Sequence, residues 1–221
     1  MRKRSFVVAV VSLCLSFSNS LVAQAVITTD SGYSQLDRFL NSLETIQAGF
    51  SQVVKDARDQ ELERSEGNLL IKRPGKFRWE YTKPNEQTLV SDGQRLWIYD
   101  AELQQVTINR ADTSLAGTPA ILLSGKDELR ANFEIEHVEQ RAQSTVINLA
   151  PKSASSSDFK LIQVVLSGEQ LMSMSLTDKL GQTSSLQFTR FKRNLTVPES
   201  RFVFTPPKGV DLVDNTRKPG K

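Results

Sequence analysis

The chain has 221 residues, with 28 Lys and Arg against 25 Asp and Glu, one His and one Cys, a length that suits one domain with a proper core. Its basic excess is local, because Arg2, Lys3 and Arg4 are the only charges in residues 1–25, and a chain starting at Val26 keeps 196 residues with equal numbers of acids and bases. Formal neutrality excludes the general basic field that nucleic acid or an anionic membrane would need, and losing Cys14 with the leader excludes disulfides, thiol nucleophiles and thiolate metal ligands.

The first segment has the layout of a removable secretory signal: a basic start, an apolar stretch from Phe6 to Leu15, a polar run through Ser20 and the small-residue site Ala23-Gln24-Ala25. Its apolar part is too short to span a bilayer. Leu13 stands before Cys14 where a lipidation signal would take a small residue, so Cys14 reads as part of the apolar region. From Tyr33, the residues Leu36, Phe39, Leu40, Leu43 and Ile46 recur at three- and four-residue steps, with Ser34 and Asp37 as a capping-type start, which predicts one amphipathic helix.

After Gly49 the period changes to two. Phe77, Trp79 and Tyr81 alternate with Lys76, Arg78 and Glu80; then come Leu89-Val90, Arg95 to Tyr99 and Val106 to Asn109. Pro74-Gly75 and Asp92-Gly93 supply tight connections. Later runs, Phe133 to Val138, Val146 to Ala150, Phe159 to Leu166, Leu171 to Leu176 and Leu186 to Phe191, continue the pattern. The spacing predicts roughly eleven or twelve antiparallel strands in meander order. A short helix interrupts them, with Thr118 as cap, Pro119 at the first position, and Ile121, Leu122 and Leu123 before Gly125. It is too short to stand alone, so those three side chains must pack on the sheet. Arg217 to Lys221 reads as a polar tail, and 26–221 as a single domain.

The chemistry of catalysis is thin. His137, the one histidine, alternates with Phe133 and Ile135 and reads as the end of a strand face. There is no Gly-x-Ser-x-Gly elbow, the Gly117 to Gly125 spacing does not make a phosphate loop, and no cofactor motif is present. Asn194-Leu195-Thr196 matches a glycosylation triplet and says little alone. What is abundant is aromatic: Phe77, Trp79, Tyr81, Trp97 and Tyr99 on neighbouring strands, then Phe188, Phe191, Phe202 and Phe204. Two readings stand: these rings fill the core of a β-domain, or they line a concave cavity that a ligand fills, because a single curved sheet has no second sheet to cover its inner face.

Four ordered blocks carry a resemblance. Gly67 to Trp79 (GNLLIKRPGKFRW), Leu89-Val90-Ser91-Asp92-Gly93 leading to Leu96-Trp97-Ile98-Tyr99, Gly117-Thr118-Pro119, and Phe202 to Pro207 (FVFTPP) with Gly209-Val210 resemble the outer-membrane lipoprotein carrier protein, the LolA family. Leu70 stands where that family often has an aromatic. The resemblance implies a mainly β fold with few helices, a half-open antiparallel β-barrel of about eleven strands under a helical lid. It further implies a monomeric periplasmic chaperone, not an enzyme, that shields the acyl chains of lipoproteins. Its partners would be those lipoproteins, an inner-membrane ABC transporter that releases them and an outer-membrane receptor that accepts them. Arg73 would hold the lid closed through helix carbonyls. Phe77, Trp79, Tyr81, Ile121, Leu122 and Leu123 would line or cover the acyl-chain cavity. The alternative from another class is an envelope-stress sensor or regulatory domain on a related lipid-binding fold.

Overall fold

The computed structural model describes residues 29–111, 123–125, 133–153 and 157–216. The expected signal segment, the Thr118-Pro119 cap, Ile121, Leu122 and the tail from Arg217 lie outside the described residues. Helix α1 (Thr29–Asn41) precedes β1 (Thr45–Lys55), β2 (Glu61–Lys72), β3 (Lys76–Lys83), β4 (Gln87–Asp92), β5 (Arg95–Asp100) and β6 (Gln105–Arg110). Then follow β7 (Phe133–Gln140), β8 (Thr145–Pro151), β9 (Phe159–Ser167), β10 (Gln170–Asp178), β11 (Thr183–Arg193), a 3-10 turn (Glu199–Phe202) and β12 (Asp211–Asp214).

Among the described residues all strands join one 12-stranded sheet in the order β12-β6-β5-β4-β3-β2-β1-β11-β10-β9-β8-β7. Its end strands β12 and β7 are not paired with each other, so the sheet stays open. Hairpins build each half, and the pairing of β1 with β11 joins the halves at the middle. Gly75 and Gly93 take φ of +72° and +94° in their turns, the left-handed region that glycine enters without a Cβ penalty.

One face of this sheet is apolar. Ile46, Ala48 and Phe50 of β1, Leu69 and Ile71 of β2, Phe77 and Trp79 of β3, Ile147 and Leu149 of β8, and Leu186 and Phe188 of β11 form a single buried cluster with Leu36, Phe39, Leu40 and Leu123. From β11 to β7 the sheet is five strands wide, about 19 Å if flat at the usual strand spacing. A helix about 10 Å across that packs on β7 while Phe39 meets Phe191 of β11 therefore requires the sheet to curl around it.

The helix differs at both ends from its sequence prediction. It begins at Thr29 rather than near Tyr33, and it stops at Asn41, where Ser42 donates from its N–H to Arg38 O (3.1 Å) and from its hydroxyl to Phe39 O (3.0 Å). Ile46 belongs to β1. Leu43 and Ile46 mimic helical spacing because both enter the same core from the connection and the next strand.

The meander also ends differently. After Arg193 the chain crosses the outer face of the sheet as a strap: Leu195–Pro198 over β1 and β2, the 3-10 turn over β3 and β4, and Phe204 against Tyr99 of β5 (centroids 6.1 Å apart). This crossing brings β12 alongside β6 in parallel, a departure from the predicted antiparallel pairing, and the predicted meander order is also broken where β1 pairs with β11 while β6 and β7 lie far apart. Phe202, 1% exposed, plugs the strap into the sheet.

Glu199 ties the strap down by accepting from Lys72 Nζ (2.5 Å) and Lys76 Nζ (2.6 Å), and these hydrogen bonds hold its carboxyl at about 2. A depressed carboxylate pKa contributes stability that is complete above the unfolded value and is lost as pH falls through the folded one. The strap should therefore stay docked down to about pH 4.5 and loosen between there and pH 2. An NMR titration of Glu199 with a midpoint near 4.5 would contradict this.

Candidate functional site

The β2–β3 hairpin carries the first feature. Arg73 leaves the end of β2 beside Pro74-Gly75, and its Nε donates to Leu123 O at 2.8 Å while its Nη1 donates to Leu40 O in the last turn of α1. Its own N–H bonds Glu44 O (2.9 Å), which fixes the base of the side chain, and Gly75 N–H donates to Ser124 O (3.2 Å). Helix ends leave carbonyls without intrahelical partners, and one guanidinium fork satisfies such groups on two separate helical pieces. The hairpin tip thus clasps α1 and the Leu123–Ser124 segment together over the sheet.

Beneath the clasp the described apolar side chains pack on one another. Leu36, Phe39, Leu40, Leu123, Val164, Leu171 and Met174 surround a void of about 10 Å³, barely enough for one water. A larger group could occupy this void only by displacing α1 or Leu123.

Register assigns the predicted aromatics to faces, because residues directly opposite across strands share a face. Trp79 pairs with Leu69 and Leu89, and Leu89 with Ile98, all on the inner side. Phe77, 1% exposed, and Trp79, 4% exposed, are core residues, with Tyr81 packed against the same cluster. Arg78 pairs with Val90, which pairs with Trp97, and these lie on the outer side. Trp97 and Tyr99 are therefore separated by the sheet from the other three rings. Leu123 is 1% exposed and sits in the same cluster as Phe77.

Phe50 is the residue that sequence reading missed. Its ring lies 4.8 Å from that of Trp79 and 5.3 Å, edge-on, from that of Tyr81. It fits because Gly67, directly opposite, has no side chain: a Cβ there would come 2.6 Å from the ring and 2.0 Å from Glu80 O. The signal was a glycine within a strand pattern, which marks a close approach.

This aromatic group ends in a polar chain. Tyr81 donates from its hydroxyl to Gln52 Oε1 (3.0 Å), and Gln52 Nε2 donates to Ser184 Oγ (2.9 Å). Burial first, then the charge of Glu63, push the Tyr81 hydroxyl up to about 12, with the nearby Trp79 indole acting weakly the other way. Trp79 Nε1 is buried yet makes no hydrogen bond of acceptable geometry. Among the described residues no group of three or more His, Cys, Asp and Glu is placed to hold a metal, and His137 is exposed on β7.

The family model described as outer membrane lipoprotein carrier protein LolA matches residues 41–205. The chain belongs to the LolA family. The LolA match runs from the last residue of α1 through the clasp, all strands from β1 to β11, and the strap as far as Thr205. An outer-membrane lipoprotein carrier protein of Legionella pneumophila (strain Lens) is 40% identical over 202 residues, 91% of this chain and 96% of that one. One of Dechloromonas aromatica (strain RCB) is 40% identical over 179 residues, 81% and 86% of the two chains. Among solved structures, an uncharacterized conserved protein from Thermus thermophilus has a TM-score of 0.52 at 15% identity, covering 83% of this chain and 99% of its own, a likeness of fold alone.

Proposed function

We propose that the chain is a periplasmic carrier that takes acylated lipoproteins released at the inner membrane, holds their acyl chains inside the curled sheet and passes them to a receptor at the outer membrane. An ABC transporter would supply the cargo, and cleavage after Ala25 would free the mature monomer. Binding, not catalysis, is the work we assign to it.

The observation that carries this reading is an apolar inner face of the sheet covered by α1 and Leu123, which Arg73 clasps together. Each buried CH₂ contributes about 0.8 kcal/mol, so acyl chains do not cross water unaided at a useful rate. Inside this interior, lipid replaces helix side chains as the partner of the sheet, and the exchange of one apolar contact for another keeps the net energy modest. Phe77, Trp79, Tyr81 and Phe50 present the receiving surface, and Leu123 covers it. The unpaired Trp79 indole N–H gives an ester carbonyl of the cargo a donor that the closed state leaves unused.

A photo-crosslinking residue tests the assignment. Placed at Phe77 or Leu123 it should capture acyl chains of a loaded lipoprotein, and placed at Arg78, on the outer face, it should not. Equal labelling at all three positions would indicate surface contact and remove the cavity assignment.

A further inference from the structure

The strap does not lie flat on the sheet. Between it and the outer faces of β1, β2, β3 and β11 runs a groove of about 770 Å³, the size of pockets that enclose drug-sized ligands. Its floor follows the strand register. Lys192, Gln47, Leu70 and Arg78 form one row across four strands, and Gly49, Asn68 and Glu80 belong to the next. Leu195, Val197, Pro198 and Arg201 of the strap form the wall.

The lining holds four cations, Arg78, Arg190, Lys192 and Arg201, against the single carboxylate of Glu80. Arg78 already pairs with Glu80 at 2.6 Å. Arg190 reaches only Asn68 Oδ1, at 3.4 Å, and among the described residues no carboxylate pairs with Arg190, Lys192 or Arg201. On a chain whose mature form is neutral, this is a concentrated positive strip. One cation is also specially seated. Arg190 occupies the register shift opposite Gln47 and Gly49 with φ of +50°, and a Cβ at Gly49 would come 2.5 Å from its guanidinium. A bare glycine lets the guanidinium cross the groove floor, and a non-glycine residue held at positive φ is the kind of local cost found at binding sites.

We infer that this groove docks an extended acidic segment of a protein partner. Lys192 and Arg78 stand at opposite ends of a row three strand spacings wide, about 14 Å, too far apart for one phosphate or carboxylate to bridge. Leu70 lies between them, and Leu195, Val197 and Pro198 face them, so the matching occupant alternates acidic and apolar side chains. The groove lies on the opposite face from the acyl interior, so its occupant and the cargo can be bound together.

The test uses the mature full-length chain and a fluorescent eight-residue peptide alternating Glu and Leu, read by fluorescence anisotropy. Binding should weaken with salt, and Lys192→Gln combined with Arg201→Gln should weaken it about tenfold or more, as the loss of charge-assisted contacts does. Lys208→Gln, elsewhere on the surface, should leave it unchanged, and a Lys-Leu peptide should not bind. Gly49→Ala should weaken binding by displacing Arg190, with a melting curve run alongside to show that the fold is intact. Failure of the Glu-Leu peptide to bind overturns the inference, as does equal binding by the double variant. Competition by equimolar inorganic phosphate would make the groove a small-anion site instead. Binding to phosphatidylglycerol vesicles that the double variant loses, without peptide binding, would make it a lipid-surface site. Retention of acylated cargo should match wild type in every groove variant, which separates this inference from the carrier reading.

Discussion

Arg73→Leu should load lipoprotein normally but surrender it poorly to an outer-membrane acceptor. The substitution removes the donors to Leu40 O and Leu123 O while the Arg73 N–H to Glu44 O and the Gly75 N–H to Ser124 O remain. Hydrogen bonds from a charged group contribute about 1.5–3 kcal/mol each, so losing two shifts the closed-to-open balance by about 3 kcal/mol, roughly a hundredfold. On the proposed reading, closing the cover would drive lipid out, so weakening that drive should raise apparent affinity for cargo by the same factor. The empty variant should also bind more of an apolar fluorescent dye, because Leu36, Phe39 and Leu40 spend more time uncovered. Transfer at the wild-type rate, with unchanged dye binding, would show that the clasp does not govern the cover.

The largest effect on stability is expected at Gly67. Gly67→Ala would place a methyl group 2.0 Å from Glu80 O and 2.6 Å from the Phe50 ring. The backbone oxygen belongs to the β2–β3 ladder and cannot swing aside, and Phe50 is held between Trp79 and Tyr81. Overpacking of this kind costs about 3 kcal/mol, which for a chain of this size lowers the melting temperature by roughly 6–12 °C. Because Phe50 must retreat into the interior, cargo uptake should fall as well. Calorimetry giving a melting point within about 2 °C of wild type would mean that the strands separate locally at no cost.

Strands were readable from the sequence where one face meets water. Lys76, Arg78 and Glu80 interleaved with Phe77, Trp79 and Tyr81 specify both β3 and its orientation, and the structure keeps that alternation. Arg73 beside Pro74-Gly75 and its use of helix carbonyls were legible through the motif resemblance; which carbonyls it takes, Leu40 O and Leu123 O, was not, since both lie more than thirty residues away in sequence. The boundary of α1 was blurred because Leu43 and Ile46 extend the apolar spacing across a change of structure. Phe50 was missed because it falls where the period changes. Trp97 and Tyr99 looked like partners of Trp79, but alternation within a strand does not say which face it shares with its neighbours; only the pairing does. Leu69, Leu70 and Ile71, buried in succession, signal a strand covered on both sides, and the strap over Leu70 explains why. β12 was invisible because four residues, Asp211 to Asp214, carry too short a pattern.

The pairing at the middle of the sheet has a consequence for how the chain acquires its fold. Phe50 lies opposite Phe188, and Val106 opposite Leu212, so the central seam and one edge both wait for the last part of the chain. Long-range pairings of this kind fold slowly, because the loss of chain freedom comes before any contact rewards it. While synthesis proceeds, the first six strands can form hairpins, but β1 has no neighbour on one side until β11 emerges. The architecture postpones completion until the polypeptide is whole, so the central seam beside β1 stays unfilled until residues 183–193 have been made.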